Sequence, residues 1–199
     1  RRPEPPAAVI TARARDLAGN VQSQFNVNTS SNIFTYDVSL PTATITVPVN
    51  DRSMSLGSIV GTATTTAPGV VTSVQVRMQD VAGTGFWRLD NSGFGEANGN
   101  NAWFTATTAN NWANWNVSSG SFVSGRRYRF MARALNAAGN WQVIYSTTLT
   151  TYDNEAPQTG VSSPVTGSAV NTLSAITGTL KEFPNELTVS PASTGTVLN

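Results

Sequence analysis

Tyr128-Arg129-Phe130-Met131-Ala132-Arg133-Ala134 is the stretch on which the fold assignment turns. Tyr128, Phe130, Ala132 and Ala134 alternate with Arg127, Arg129, Met131 and Arg133. Side chains of an extended strand point to opposite faces in turn, so this spacing predicts a half-buried strand with a basic outer face. Ser73-Val74-Gln75-Val76-Arg77-Met78-Gln79 has the same period, with Val74, Val76 and Met78 on the apolar side. Ala43 to Val47, Ser58 to Thr64 and Trp141 to Leu149 read as further strands, separated by Pro, Gly and Asn clusters that supply turns. Helical periodicity is absent from every window of about 11 residues or more. Roughly seven short strands in about a hundred residues are the expectation for an Ig-like sandwich.

The same chain repeats itself. Ala12-Arg13-Ala14-Arg15-Asp16-Leu17-Ala18-Gly19-Asn20 recurs 120 residues later as Ala132-Arg133-Ala134-Leu135-Asn136-Ala137-Ala138-Gly139-Asn140, with six identities in nine positions. Thr35-Tyr36-Asp37, with Pro41 and Pro48, recurs 116 residues later as Thr151-Tyr152-Asp153, with Pro157 and Pro164. Leu56-Gly57-Ser58-Ile59-Val60-Gly61-Thr62 recurs 117 residues later as Leu173-Ser174-Ala175-Ile176-Thr177-Gly178-Thr179. Three collinear matches with slightly drifting offsets describe one repeat whose loops vary in length. The predicted fold class is therefore all-β, Ig-like antiparallel β-sandwich repeats in tandem, one complete and two partial. Residues 1–36 are the last strands of one repeat, 37–152 a whole repeat and 153–199 the first strands of a third.

Composition narrows the chemistry. Charged residues make up 12 % of the chain and its net charge is +1, so no long-range field steers it toward nucleic acid. With no cysteine and no histidine, thiol catalysis, Ser-His-Asp systems and His-ligated metals are excluded. No apolar run approaches the ~20 residues of a membrane helix. Paired carboxylates suited to glycoside hydrolysis are not recognisable, since Asp80, Asp90 and Glu96 all fall in expected loops. The chain is expected not to be an enzyme.

Thr151-Tyr152-Asp153-Asn154-Glu155-Ala156-Pro157, followed by Ser163-Pro164-Val165-Thr166-Gly167-Ser168 and Ile176-Thr177-Gly178-Thr179, resembles the start of bacterial Ig-like or fibronectin-III-like repeats. Tyr128 to Ala134 with Asn136 to Asn140 is similar to the penultimate strand and last turn of such repeats. The resemblance implies an extracellular or cell-surface bacterial protein, and a structural role as rod, filament or adhesin shaft. Its implied partners are neighbouring repeats, in the same chain or in adjacent copies. Asn136 departs from the pattern, because Asp is usual there and stands at Asp16 in the first repeat.

The candidate binding region is residues 86–116. It holds four of the five tryptophans, Trp87, Trp103, Trp112 and Trp115, and eight asparagines. Trp112 and Trp115 with Asn111 and Asn114 are the candidate ligand residues, aromatic faces stacking on a sugar while amides bond its hydroxyls. A glycan or a surface protein is the corresponding partner, and an accessory role beside a polysaccharide-degrading domain is a further alternative. Trp87 and Trp103 are expected to be structural. Tyr128 is expected to form a tyrosine corner onto backbone near Ser124 or Gly125. Arg77, Arg127, Arg129 and Arg133 are expected on one solvated sheet face. No metal ligand set is predicted, although Asp37, Asn136 and Asn140 could share a calcium ion at the joint; with one carboxylate that set is poor for calcium. The flanking partial sandwiches need cover, supplied either by a longer continuous chain or by the head of one copy meeting the tail of the next.

Overall fold

The computed structural model describes residues 7–83, 85–118, 120–181 and 196–197, and the protein is an all-β sandwich repeat. Strands β1 (Ala7–Thr11) and β2 (Ser31–Thr35) form an antiparallel ribbon. The central region contains β3 (Thr42–Val47), β4 (Asp51–Ser53), β5 (Ser58–Thr64), β6 (Val71–Asp80), β7 (Gly85–Trp87), β8 (Phe94–Glu96), β9 (Phe104–Thr105), β10 (Trp115–Ser118), β11 (Arg127–Asn136) and β12 (Ser146–Tyr152). A last sheet is made of β13 (Gln158–Ser163), β14 (Ile176–Lys181) and β15 (Thr196–Val197).

Two sheets enclose the central core. One has the order β10-β5-β3; the other runs β4-β12-β11-β6-β7-β8, with β9 also on β6. Alternation decides what each strand buries: Val74, Val76 and Met78 of β6 and Tyr128, Phe130, Ala132 and Ala134 of β11 all point inward. Facing them are Ala43 and Ile45 of β3, Ile59 of β5, and Trp115 and Val117 of β10. Phe130 is wholly buried, and its truncation to Ala would cost about 3–5 kcal/mol. Gly61 must be glycine because a Cβ there would collide with the Thr44 carbonyl oxygen and the Trp115 ring.

The edges of the sandwich are closed by side chains. The Ala43 N–H donates to Gln142 Oε1 at 2.7 Å and the Ile45 N–H to Ser146 Oγ at 3.0 Å, so the outer edge of β3 is satisfied by the facing sheet. After the buried Pro48 the chain crosses over, and β4 runs parallel to β12, pairing Asp51, Arg52 and Ser53 with Thr150, Thr151 and Tyr152.

The flanking sheets reproduce the central ladders. β1–β2 pairs Ala7 with Thr35 through Thr11 with Ser31, as β11–β12 pairs Arg127 with Thr151 through Met131 with Thr147. β13–β14 pairs Gln158 with Lys181 through Ser163 with Thr177, as β3–β5 pairs Thr42 with Thr64 through Val47 with Val60. Even the register shift recurs, between Val161 and Ser163 as between Ile45 and Val47.

Three expectations are adjusted. The central region has more strands than the seven expected, because β4, β7, β8 and β9 are short pieces that periodicity over a few residues does not reveal. The last strand is Ser146–Tyr152 rather than Trp141–Leu149. Gln142 turns inward and bonds backbone on three sides, which holds 141–145 off the ladder. The Tyr128 hydroxyl takes the Val123 N–H at 2.9 Å, one residue before the expected corner.

Burial raises the Tyr128 pKa above its ordinary value of 10.0, against the Val123 bond, which lowers it. Stability owed to neutral Tyr128 is therefore intact below about pH 10 and is lost as pH rises through the higher folded-state value. Denaturant unfolding from about pH 9 to pH 11.5 should show a shallower alkaline loss for Tyr128→Phe than for the wild type. Equal slopes would remove Tyr128 from the alkaline transition.

Candidate functional site

The four candidate ligand residues do not form one site. Trp115 is 1 % exposed, lies in the core, and donates its indole N–H to the Thr62 carbonyl at 2.9 Å. That corrects the expectation for Trp115: its inward position on β10 buries it between the sheets. Asn114 serves the loop, its N–H going to Asn110 Oδ1 at 2.8 Å and its carbonyl accepting from Thr108 at 2.7 Å. Asn111 and Trp112 do line an open groove of about 580 Å³, shared with Ala63, Thr64, Thr65, Gly69, Val70, Val71 and Ala113.

The backbone at this groove is strained. Asn111 and Trp112 have φ of 53° and 68°. Asn tolerates the left-handed region, whereas a bulky residue there costs of order 1–3 kcal/mol and persists only where its surroundings hold it. Here they do: the Trp112 N–H donates to Thr108 Oγ at 3.0 Å, and its carbonyl accepts the Ala63 N–H at 3.0 Å. The loop is thus sewn to the end of β5, with the half-buried Trp112 ring packed against the core and lining the groove.

The other tryptophans are structural, as expected. Trp87 is in the core, edge-on to Phe94 at 5.0 Å and bonded through its indole N–H to Asn91 Oδ1 at 3.1 Å. Trp103 is buried outside the core, on the outer face of the β6–β11 sheet. Its ring lies between two guanidinium groups, 4.6 Å from Arg77 and 4.1 Å from Arg133. Arg77 also faces Phe86 and Tyr145, and Arg133 faces Trp141 at 4.3 Å. The Trp103 indole N–H is buried without a partner among the described residues.

The expectation of a solvated arginine face is therefore corrected for Arg77 and Arg133. Residues 99–104 fold over that face, and the guanidinium groups of Arg77 and Arg133 lie against rings, each contact contributing about 0.5–2 kcal/mol. Burial lowers the Arg77 pKa, and nearby Arg133 lowers it further. Arg129 and Arg133 are tied across the strands to Gln79 and Gln75, and Arg127 is exposed.

Asp37, Asn136 and Asn140 do come together. Asn136 is 1 % exposed and donates its amide N–H to Asp37 Oδ2 and to the Ser39 carbonyl, both at 2.9 Å. Its oxygen accepts the N–H groups of Ala138 at 3.1 Å and Asn140 at 2.8 Å, which fixes the amide orientation. Asn140 donates to the Asp37 carbonyl at 3.0 Å. These groups do not fit a calcium shell, since amide N–H donors occupy the carboxylate and carbonyl oxygens that calcium would need. Among the described residues no group of three or more Asp, Glu, His or Cys side chains could hold a metal.

No family model and no curated protein matches the chain. Among solved structures, the chain is similar to the tetra-tandem repeat in the extending region of a large adhesion protein. The TM-score is 0.41 at 19 % identity, over 96 % of this chain and 45 % of that one.

Asn136→Leu should lower stability by about 2–3 kcal/mol, because it strips a donor from a carboxylate and an acceptor from two loop N–H groups. Urea unfolding measures the loss. Adding a chelator to the wild type should leave the thermal midpoint where it was; a fall would place a bridging ion at the joint.

Proposed function

We propose that this chain is a length of load-bearing shaft in a bacterial extracellular or cell-surface protein. Its Ig-like units divide at 1–36, 37–152 and 153–199, with Asp37 and Asp153 at the joints, and it performs no catalysis. The observation that carries this reading is the parallel pairing of β4 with β12. A chain entering the central sandwich at Asp37 and leaving at Asp153 passes through these two neighbouring strands. Tension then draws β4 and β12 past one another lengthwise, so their pairings resist together rather than opening in turn. The flanking bonds share the load: the Leu149 N–H to Asn50 Oδ1 at 2.8 Å, the Asp153 N–H to the Ser53 carbonyl at 3.0 Å, and the Thr150 hydroxyl to the Val49 carbonyl. The recurrence of both ladders on either side supports an array in which each unit transmits force to the next.

A second reading, glycan or surface-protein binding, is favoured by one observation: Trp112 is held at positive φ beside an open groove with Asn111. An accessory role beside a polysaccharide-degrading domain would use the same groove.

Single-molecule pulling of a polyprotein containing this chain tests the shaft. Pro at Arg52 and Pro at Ser53, introduced separately, each remove a backbone N–H, and neighbouring N–H groups point to opposite sides of a strand. At least one of them should lower the peak unfolding force of the central sandwich. Unchanged force in both would mean that the load does not pass through β4. For the second reading, Trp112 emission should shift on titration with glycans and Trp112→Ala should abolish that shift; silence across a glycan array would dispose of it.

A further inference from the structure

Strand β11 carries a line of cations along the outer face of its sheet. Arg129 lies across from Gln79, Met131 from Arg77 and Arg133 from Gln75. Arg127 lies across from Thr151, whose other neighbour is Arg52. Alternate residues of a strand are about 7 Å apart, so these four rows span about 20 Å, and each holds a guanidinium group. Arg127 and Arg52 are exposed, and Arg129, Arg77 and Arg133 are half-buried.

These cations have no carboxylate partner. Among the described residues the salt bridge is that of Arg126 with Asp80, which is buried on the inner side of β6. By alternation two other carboxylates border the outer face: Glu96 of β8, across from Phe86, and Asp153, just past the end of β12. Each accepts a backbone N–H of its own loop, from Asn98 at 2.9 Å and from Glu155 at 3.2 Å, and neither is bridged to an arginine.

Neutral atoms hold the guanidinium groups instead. Arg129 places Nη1 on Gln79 Oε1 at 3.1 Å, and Arg133 places Nε and Nη2 on Gln75 Oε1 at 3.0 and 2.7 Å. Arg77 turns Nε and Nη2 to Met131 Sδ at 3.4 and 3.3 Å. A guanidinium has five N–H donors, so donors remain on Nε and Nη2 of Arg129 and on Nη1 of Arg133 and Arg77. The buried Trp103 N–H adds one more donor without an acceptor among the described residues. The face is therefore fixed in geometry, rich in donors, poor in acceptors and positive.

We propose that this face binds an acidic polysaccharide laid along β11, its carboxylate or sulfate groups on the remaining donors of Arg127, Arg129 and Arg133 and a sugar ring against Trp141. Charge complementarity sets the sign of the ligand, and cations recurring row after row suit a polymer that carries an anion on each repeating unit. Trp141 is 37 % exposed and adjoins Arg133. A single-stranded nucleic acid fits less well, because its bases need stacking platforms: Trp103 is buried, and Phe86 and Tyr145 lie against Arg77. With a net charge of +1 the attraction is local to this line, and salt screens it. The site is separate from the Trp112 groove, which lies at the end of β5 in the other sheet, and it does not depend on the shaft reading.

Isothermal titration of the whole chain with polygalacturonate, dextran sulfate, neutral dextran and single-stranded DNA, at low and at physiological salt, is the test. One or both acidic polysaccharides should bind, and the stronger of the two identifies the anion; neutral dextran should not. Arg127→Gln with Arg129→Gln should weaken that binding about tenfold or more and reduce its dependence on salt. Arg13→Gln with Arg15→Gln removes the same charge from exposed positions off this face, and should leave binding unchanged. Trp112→Ala should also leave it unchanged, so the groove and this face fail separately. Thermal midpoints measured alongside show that each variant is folded. Absence of binding by both acidic polysaccharides overturns the proposal. So does an equal loss in the two double variants, which would reduce the effect to net charge, or DNA binding tighter than either polysaccharide.

Discussion

The central sandwich depends on one buried amide. Two sheets that pack only through apolar side chains can slide, since dispersion and hydrophobic contact are not directional. Gln142 removes that freedom by spanning from β11 to β3 and bonding to backbone of both, within a core where every unmet polar group is costly. Its four bonds leave neither amide atom unsatisfied. The register of β3 against β11 then sets where Asp37 and Ser39 arrive, and so whether Asn136 and Asn140 find their partners.

The outer face of the same sheet follows a different physical logic. Arg77 and Arg133 stand where alternation along β6 and β11 requires solvent-facing residues, and on a bare sheet they would be hydrated. Residues 99–104 instead lay Trp103 between them, and the guanidinium groups exchange part of their water for aromatic faces. Gly99 makes this approach possible, because a Cβ would strike the Phe86 ring and the Arg77 guanidinium. The aromatic-rich insert thus thickens the sandwich on one side.

What could be read from the residues and what could not divide along physical lines. β6 and β11 were legible because ten-residue strands repeat their alternation often enough to exceed chance. The all-β class and the recurring ladders followed from the matches at Ala12, Thr35 and Leu56. The inward turn of Trp115 was open to the same reasoning, since Trp115 and Val117 alternate with Asn116 and Ser118. The positive φ of Trp112 is not announced by its own residue type, because a bond from the distant Ala63 N–H to its carbonyl helps to hold it. Nor does any motif announce the cover over Arg77 and Arg133, which arises from a crossing between segments distant in sequence. The importance of Gln142 was also hidden, although its recurrence as Gln22 lay beside the motif that did identify the repeat.

The bonds from Asp37 run forward, into the hairpin of the sandwich that follows it, while Asp153 and Asn154 reach back to the sandwich before them through their backbone N–H groups, on the Ser53 carbonyl and Ser124 Oγ. The central sandwich therefore grips both the segment that enters it and the segment that leaves it. Melting of the central sandwich would let go of both segments at once, Asp37 with its side-chain clasp and Asp153 with its backbone one.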